Sequence, residues 1–428
     1  MKILWVINTI IPDIAEAIGL KAGNREGWLQ GAFNSFSSNE KYDLSVAFPV
    51  DSKRNTSMIE VKGIKCYPFV ENLGEPEKYN PDLENSFREI LKEVNPDILH
   101  IFGTEFPHAL AASRAFDKPE RTLVGIQGIC SIIAKDYGAL LPKKVLEDVT
   151  FRDAIKKDSI KDQQKKFFER GKNEQELIRS VKYIAGRTEF DKKTTAAINP
   201  NRVYFHMNES MRSCFYENIN EGKWKVDNVE DYSIFLGQGD YPIKGMHFLI
   251  EAAGELVKKY PNLKIYVAGN SIIDYKSIKD KLKTPAYGKY LRKLIKEYNL
   301  QNHVKVLGSL TSNQMKEQYL RSSVFVCPSY VENSPNTVAE AMLLGVPIVA
   351  SDAGGITSVI SEKEGFIFKK GDVKRLARSI EKVWELELYD RDTLYNLCDM
   401  EQKRALKDYD PVENNKCLLS IYESIVEG

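Results

Sequence analysis

The chain has 428 residues, of which 43% are hydrophobic, and its mean hydropathy is −0.37. This length and composition predict a globular protein of two or three domains with large buried cores. The 61 basic residues are balanced by 60 acidic ones, which argues against a dedicated nucleic-acid binder. The six cysteines are scattered without a C-x-x-C pair, so they predict neither a disulfide framework nor a zinc site and fit a reducing cytosol.

Two features of the chain argue against a membrane-spanning or secreted protein. No apolar run approaches the ~18 residues that a bilayer-spanning helix needs. The apolar residues 1–12 meet Asp13 at once and have no small-residue cleavage site, so they are not typical of a signal peptide. We therefore expect a first buried strand at this end of the chain and a cytoplasmic location.

Short apolar runs alternate with helical patterns along the whole chain. In the first half, the predicted strands are Ile3–Asn8, Leu44–Phe48, Ile98–Phe102, Leu123–Gln127, Tyr183–Gly186 and Val203–His206. In the second half, they are Ile234–Leu236, Lys264–Ala268, Val304–Leu307, Val324–Cys327 and Ile348–Ser351. Strands separated by helices form parallel sheets with right-handed crossovers. The alternation therefore predicts an α/β chain with Rossmann-like parallel sheets.

The domain organisation is inferred from one polar interruption. Residues 216–231 are polar and poorly periodic, and we place a hinge there. This predicts a first domain over residues 1–218, a linker over 219–230 and a second domain over 231–410. Parallel sheets bind ligands at the carboxyl ends of their strands. The residues that follow each strand are therefore the candidates for a functional site.

The first candidate is the glycine-containing loop Gly19–Trp28, which follows the first strand. Its glycines, Gly23 among them, would let the backbone approach a phosphate or another ligand closely. An ordinary flexible loop explains the same composition about as well. The loop therefore stays open between a binding role and a purely structural one.

A second candidate follows the strand Ile98–Phe102. We expect His100 to face the core, whereas His108 is better placed for the end of the sheet where ligands bind. After the next strand comes Gln127, whose amide can donate and accept hydrogen bonds but cannot titrate. His108 is therefore a candidate for a functional role here, and Gln127 is a candidate for binding.

A basic segment covers residues 143–182, with twelve Lys or Arg against eight Asp or Glu. Apolar side chains are interspersed, so the segment could form a basic amphipathic surface that docks on anionic lipid. A solvated helical hairpin over the first domain explains the same composition, and the two readings are compatible.

Arg187 directly follows the strand Tyr183–Gly186. From this end of the sheet its guanidinium could reach an anionic ligand. It could instead form an ion pair with Glu189 or Asp191 at the start of the following helix. The pattern leaves both roles open.

The second domain opens with a strand that leads into a glycine-containing loop, residues 234–245. The loop begins with Gly237 and Gly239, but Pro242 occupies the place of the third glycine, so the dinucleotide-binding fingerprint fails. Lys244 and Gly245 close the loop. Backbone at Gly239 and the ammonium of Lys244 are candidates for contact with an anion.

The most informative stretch covers residues 329–355, in which Glu332 and Glu340 lie on either side of a predicted helix start. Ser334 suits the N-cap and Pro335 the first helical position. The backbone N–H groups of residues 336–338, namely Asn336, Thr337 and Val338, would then be unpaired and form an anion site, for which phosphate is the commonest occupant. Gly345 ends the helix, and a buried parallel strand follows.

This stretch resembles the donor-site signature of the family 4 retaining glycosyltransferases of GT-B fold. The resemblance rests on two glutamates eight positions apart, on the Ser-Pro before the helix, and on the glycines and proline after it. It implies that the helix N-terminus faces the diphosphate of a nucleotide sugar. By the same resemblance Glu332 contacts the sugar and Glu340 binds the ribose hydroxyls.

The resemblance implies a retaining, metal-independent enzyme with two Rossmann-like domains facing each other across a cleft. Its donor would be a UDP- or GDP-linked sugar and its acceptor a saccharide or lipid-linked saccharide, in the synthesis of surface polysaccharide or glycan. The C-terminal residues 411–428 would return to the first domain. Such an enzyme would be cytoplasmic and peripheral on the inner face of the membrane.

Two departures from the family pattern affect the predicted chemistry. Relatives often carry a histidine where Gln127 stands, so general acid–base work would pass to His108 or Glu105. The arginine expected in the loop before Lys244 is missing, so Arg187 could replace it at the diphosphate. Lys244 would neutralise charge on the leaving nucleotide.

The other functions that fit the residues are a nucleotide-sugar epimerase of similar fold and a degenerate nucleotide-sugar binder. No metal site is expected, because the two D-x-D triplets lie in charged regions and the five histidines have no paired spacing. No cofactor is expected beyond the donor substrate.

Overall fold

The computed structural model describes residues 1–20, 27–36, 41–51, 57–219, 222–274 and 282–428. Within these ranges the chain forms two compact units. The first consists of Met1–Ala134, Lys166–Arg212 and Asp408–Gly428, and the second consists of Lys135–Lys165 and Ser213–Lys407. In the described ranges no helix combines the length and the apolar character needed to cross a bilayer.

The first unit contains an eight-stranded sheet in the order β3-β4-β2-β1-β5-β6-β7-β8. Its strands are β1 (Lys2–Ile7), β2 (Asp43–Val50), β3 (Ile59–Val61), β4 (Ile64–Val70), β5 (Ile98–Phe102), β6 (Thr122–Gly125), β7 (Tyr183–Gly186) and β8 (Val203–His206). All neighbouring strands pair in parallel except β3 and β4, which form an antiparallel hairpin.

The second unit contains a six-stranded, fully parallel sheet in the order β11-β10-β9-β12-β13-β14. Its strands are β9 (Glu230–Leu236), β10 (Lys264–Ala268), β11 (Val304–Gly308), β12 (Ser322–Cys327), β13 (Ile348–Ser351) and β14 (Phe366–Phe368). Each strand predicted from the sequence is present. The hairpin β3–β4 and the edge strand β14 were not predicted.

The described helices, in chain order, are α1 (Pro12–Ala17), α2 (Gly27–Phe36), α3 (Asp82–Val94), α4 (Pro107–Phe116), α5 (Cys130–Asp136), α6 (Lys143–Leu146), α7 (Phe151–Lys156), α8 (Ile160–Ser180), α9 (Glu189–Ile198), α10 (Met246–Leu256), α11 (Ala286–Glu297), α12 (Ser312–Arg321), α13 (Asn336–Leu344), α14 (Ile356–Val359), α15 (Val373–Tyr389), α16 (Arg391–Asp408) and α17 (Pro411–Glu427). They connect the parallel strands, as the alternating sequence pattern predicted.

Both faces of the first sheet are covered, which explains why β1 is a continuous apolar run. Alternate residues of this strand point to opposite faces. Trp5 packs in one core cluster, whereas Leu4 and Val6 pack in the other. The last helix, α17, completes the first of these clusters, where the Tyr422 hydroxyl accepts a hydrogen bond from Trp5 Nε1 at 2.8 Å. His100 is buried beside it, as predicted, with Nδ1 2.6 Å from the Tyr422 hydroxyl.

Two segments group differently from the boundaries that the sequence suggested. Residues 135–165 belong to the second unit, although they lie between β6 and β7 of the first sheet in the chain. The polar linker is also fastened to the second unit. Trp224 in the linker is buried, its backbone N–H donates to Leu344 O at 2.9 Å, and its Nε1 donates to Ser322 O at 2.8 Å.

Candidate active site

The candidate site lies at the carboxyl ends of three neighbouring strands of the second sheet, β9, β12 and β13. The loop after β9 ends in a 3₁₀ turn over Pro242–Lys244, and the loop after β12 leads into α13. The carboxyl ends of parallel strands meet at one edge of a sheet, which is where such folds bind ligands. The two predicted loops are therefore brought together by the order of the strands.

Gly245 holds the first two loops in close contact. Its φ is +74°, and a Cβ at this position would lie 2.0 Å from Pro328 O. The same approach lets Tyr330 N–H donate to Ile243 O at 2.7 Å. Only glycine fits this backbone conformation and this spacing, so Gly245 fixes the position of the neighbouring Lys244.

Lys244 forms an ion pair with Glu332, at 2.7 Å between Nζ and Oε2. The side chains are 26% and 14% exposed, respectively. Ser329 Oγ donates to the same carboxylate oxygen at 3.2 Å, and Gly355 N–H donates to Glu332 O at 3.1 Å. Two of the three predicted catalytic residues therefore meet directly, and contacts from all three loops orient Glu332.

The electrostatics of the pair favour a charged lysine. Burial alone lowers the pKa of Lys244, but the charge and hydrogen bond of Glu332 outweigh it and raise the pKa above its ordinary value. Asp240, on the same loop, also raises the pKa of Lys244. The site thus presents an ammonium group that stays protonated at neutral pH and can bind an anion.

The start of α13 differs from the prediction by one residue. The N-cap is Pro335 and not Ser334, because Pro335 has an extended ψ of 111° and the helix begins at Asn336. The prediction of an unpaired N–H at Val338 is also wrong, since this group donates to Pro335 O at 3.0 Å. Ser334 is buried just before the helix. The positive end of the helix dipole nevertheless lies at the carboxyl edge of the sheet.

Glu340 is buried one turn into α13, on the same face as Thr337. The Tyr319 hydroxyl lies between them, at 2.9 Å from Thr337 O and 3.5 Å from Glu340 Oε2. Thr337 approaches the loop after β9 so closely that a Cβ at Gly237 would lie 3.0 Å from its methyl group. Glu340 is thus held on a rigid helix beside the glycine loop.

Gly239 in the same loop is buried. A Cβ there would lie 2.6 Å from Met246 Sδ and 2.9 Å from Val267 Cγ1. The glycine therefore fits because the loop packs tightly against its own unit. This packing alone explains why residue 239 is a glycine, without any contact to a ligand.

In the first unit, His108 follows the carboxyl end of β5 as expected, but the prediction that its side chain is available to a ligand there is wrong. His108 is fully buried at the start of α4, with Nδ1 2.6 Å from Glu71 Oε2, and its backbone N–H donates to Glu71 Oε1 at 3.1 Å. Its ring also stacks on Phe106. These contacts make His108 part of the core, so it cannot touch a substrate in this conformation.

Gln127 and Arg187 meet at a carboxylate that the sequence did not single out, Glu209. Gln127 Nε2 donates to Glu209 Oε1 at 2.5 Å, and Arg187 Nη1 lies 2.9 Å from Glu209 Oε2. The guanidinium is buried in this pair, although Arg187 still lies at the carboxyl end of its strand. Gly23, the remaining predicted residue, lies outside the described residues.

Glu209 also lines a cavity of about 430 Å³ in the first unit, together with Phe102, Met207 and the start of α17. Two further carboxyls lie at this edge of the sheet. Burial raises the pKa of Glu105, and it raises the pKa of Glu174 to about 7. No sequence signal marked Glu209 or Glu174, because neither belongs to a recognisable motif. Among the described residues no group of three or more His, Cys, Asp or Glu could hold a metal ion.

Comparison with known proteins supports the placement of the candidate site in the second unit. Residues 218–397 match the family model of glycosyl transferases group 1. The putative teichuronic acid biosynthesis glycosyltransferase TuaC of Bacillus subtilis is 28% identical over 127 residues, which cover 28% of this chain and 30% of that protein. The chain spans less than half the length of the curated relatives it matches.

Several solved structures resemble the whole chain, and two of them illustrate the likeness. Sucrose-phosphate synthase of Thermosynechococcus elongatus superposes with a TM-score of 0.70 over 99% of each chain, at 14% identity. Anabaena Alr3699/HepE in complex with UDP-glucose superposes with a TM-score of 0.67, at 16% identity, over 99% of this chain and 100% of that chain. At these identities the likeness shows the fold alone. The chain has the GT-B fold, and its residues 218–397 match the model of the glycosyl transferases group 1 family.

Proposed function

We propose that the chain is a retaining, metal-independent glycosyltransferase that moves a sugar from a nucleoside diphosphate to a hydroxyl of a saccharide. The observation that carries the proposal is the pair Lys244–Glu332 at the carboxyl edge of the second sheet, with Glu340 on the adjoining helix. The group 1 match over the same residues and the polysaccharide-biosynthesis relative support it. Synthesis of a surface polysaccharide or glycan is the setting that we infer.

In the proposed reaction, the bond between the anomeric carbon and the diphosphate oxygen breaks, and a bond from that carbon to the acceptor oxygen forms on the same face. The acceptor hydroxyl gives its proton to the leaving phosphate oxygen, so no protein base is required. Lys244 would neutralise the charge that grows on the diphosphate, an effect worth most in the transition state. Glu332 would hold the hydroxyls of the transferred sugar.

Glu340 would bind the ribose hydroxyls of a UDP- or GDP-linked donor. Anabaena HepE was solved with UDP-glucose, which makes UDP the first nucleotide to test. Glu340 is buried on a helix, so it could bind two hydroxyls without much loss of side-chain freedom. The base and the sugar would be chosen by loop contacts around this carboxylate.

The acceptor would be a saccharide or a lipid-linked saccharide, bound in part by the first unit near Gln127 and Glu209. The basic segment suggests an approach to anionic lipid from the cytoplasm. On α7, Phe151 and Ile155 are exposed one turn apart, and Lys156 and Lys157 follow directly. Apolar side chains beside lysines are the combination that peripheral membrane helices use.

Substitution of Glu340 tests the proposal. Glu340→Gln keeps the size of the side chain but removes its charge, so we expect UDP or GDP to bind about 1.5–3 kcal/mol more weakly, as for the loss of hydrogen bonds to a charged group. Glu364→Gln is a matched control, because Glu364 is a largely shielded glutamate of the same unit that is ion-paired with Arg404 outside the site. Isothermal titration calorimetry of both variants with UDP, GDP and ADP measures the effect.

Equal nucleotide affinity in Glu340→Gln and in the unmodified protein would refute the ribose assignment. Turnover with a donor panel separates the remaining functions. Nucleotide released only on acceptor addition indicates transfer, an isomerised sugar nucleotide indicates an epimerase, and binding without turnover indicates a degenerate binder.

A further inference from the structure

The second unit also contains a cavity, which lies outside the candidate donor site. Its volume is about 280 Å³, and its walls come from the loops after β9 and β10, from the start of α11 and from residues 135–165. The lining does not include Lys244, Glu332 or Glu340 among the residues that the structure describes. It does include Asp240, which lies four residues before Lys244 on the same loop.

The segment 135–165 forms a fixed wall of this cavity. Asp153 is buried and accepts the backbone N–H of Ala286 at 2.9 Å, and it also completes a capping box with Thr150. His247 Nε2 lies 2.9 Å from Ala139 O. These contacts join the segment to α10 and α11 of its unit. The cavity is therefore a built feature of the unit.

The cavity offers a carboxylate with spare hydrogen-bonding capacity. Asp240 Oδ1 is shielded from solvent and has no hydrogen-bond partner within the described part of the chain. The contact of its other oxygen, from Asn270 Nδ2, is long at 3.5 Å. A shielded acceptor without a donor costs free energy, which a ligand hydroxyl would recover. Asp240 and Asn270 together could accept from and donate to a polyhydroxylated ligand.

The charges of the lining exclude one class of ligand. Arg152 is paired with Asp153 at 3.0 Å and with Asp158 at 2.6 Å, so its positive charge is already neutralised. Asp240 adds a further negative charge. A phosphate or diphosphate would be repelled by this excess of carboxylates. The ligand that fits is uncharged and rich in hydroxyl groups.

Tyr241 supplies the apolar contact that such a ligand needs. It follows Asp240 directly, lines the cavity and is 38% exposed. A sugar ring has hydroxyls at its edge and C–H groups on its faces, so it can bond a carboxylate and pack on an aromatic ring at once. A cavity of about 280 Å³ has the volume of roughly nine liquid-phase water molecules, which is room for one sugar ring.

We propose that this cavity binds a neutral sugar residue of the saccharide acceptor, through Asp240, Asn270 and the ring of Tyr241. The proposal rests on the proposed glycosyltransferase function and adds a saccharide site on the unit that carries the donor residues. Because Asp240 and Lys244 share a short loop, a sugar bound here would lie close to the reacting end of the donor. The cavity would select acceptors by their uncharged sugar.

The test uses the full chain and three probes, methyl α-glucoside, methyl α-galactoside and N-acetylglucosamine, in saturation-transfer NMR without nucleotide. We expect at least one of them to bind, and Asp240→Asn and Tyr241→Ala to weaken that binding at least fivefold. The control is Tyr389→Ala, which removes an 83% exposed tyrosine of the same unit outside the cavity and should leave the affinity unchanged. Binding of UDP should change less than twofold in Tyr241→Ala and Tyr389→Ala.

Three results would overturn the inference. The first is that none of the probes binds. The second is an equal loss of probe affinity in Tyr389→Ala and Tyr241→Ala. The third is displacement of the probe by a UDP-sugar but not by UDP, which would assign the cavity to the sugar of the donor. Asp240→Asn preserves shape, so a melting curve like that of the unmodified protein shows that it folds. Failure of the glycosyltransferase proposal looks different, because UDP and GDP would then not bind in a Glu340-dependent way.

Discussion

The ion pair between Lys244 and Glu332 leads to a prediction that separates their roles. In the absence of substrate each residue neutralises the other, at 2.7 Å. The gross Coulomb attraction at this distance is about 6 kcal/mol for an effective dielectric constant of 20. Both side chains are partly exposed, so their loss of hydration offsets most of this attraction. We expect a net coupling free energy between the two residues of about 0.5–3 kcal/mol.

An arriving diphosphate competes with Glu332 for the ammonium of Lys244. Glu332→Gln removes the competitor, so UDP should bind at least as tightly as in the unmodified protein, while transfer falls because the sugar loses its carboxylate. Lys244→Ala should weaken UDP binding and lower turnover by about 10²–10³-fold, the loss typical of one preorganised group at a developing charge. The double variant should bind UDP better than Lys244→Ala, because no unpaired carboxylate remains.

The assay is calorimetry of UDP with the four proteins of this cycle, followed by single-turnover transfer. Lys259→Ala is the control, because Lys259 forms an ion pair of 2.6 Å with Glu381 on the surface of the same unit. If Lys244→Ala keeps normal affinity and turnover, Lys244 is a surface lysine. If Glu332→Gln weakens UDP as much as Lys244→Ala does, Glu332 binds the nucleotide itself and the proposed competition is wrong.

Two further predictions concern stability and location. Burial raises the pKa of Glu387 to about 8. The folded state therefore keeps a proton that the unfolded state releases near pH 4.5, so the free energy of unfolding should fall as pH rises from about 4.5 to about 8. The loss from this group is at most roughly 5 kcal/mol. Urea unfolding of Glu387→Gln should match the unmodified protein at pH 5 and exceed it at pH 8.5; equal stability at both would contradict the shift. Flotation should show that the protein binds anionic vesicles but not neutral ones, and that added salt weakens this binding. The double variant Lys156→Glu/Lys157→Glu should bind more weakly, by about 1 kcal/mol for each lysine removed. Absence of binding at low salt would contradict a membrane role for the basic segment.

Local patterns were enough to predict the strands and the position of the candidate donor site. The bounds of β5, β7, β8, β10 and β13 match the runs that predicted them. For β5, β7 and β13 the reason is burial along the whole strand, because a buried parallel strand must be apolar on both faces. The N-cap was misplaced by one residue, since Pro335 fixes φ but leaves ψ free to be extended. The missed hairpin turns at Lys62 and Gly63, both with positive φ, and a lysine is not a usual signal for such a turn.

The contacts that the sequence could not supply join residues far apart in the chain. Glu332 lies 88 positions after Lys244, and His108 lies 37 positions after Glu71. A motif shows which residues follow a strand but not which of them a distant carboxylate will pair with. His108 was therefore placed in the site by its position after β5, whereas the β4 region, whose pattern was weak, supplied the glutamate that holds it in the core.

Gly245 shows how a tertiary contact can be turned into a prediction about the site. Gly245→Ala combines two costs, an unfavourable φ of +74° and a Cβ only 2.0 Å from Pro328 O. Gly308 is a matched control in the same unit, because its φ is +79° but a Cβ there would meet nothing within 4 Å. We expect Gly308→Ala to lower the free energy of unfolding by about 1–3 kcal/mol. Gly245→Ala should lower it further and, by moving Lys244 away from Glu332, also weaken UDP binding. If the two variants lose equal stability and both bind UDP normally, the contact between the two loops does not position Lys244.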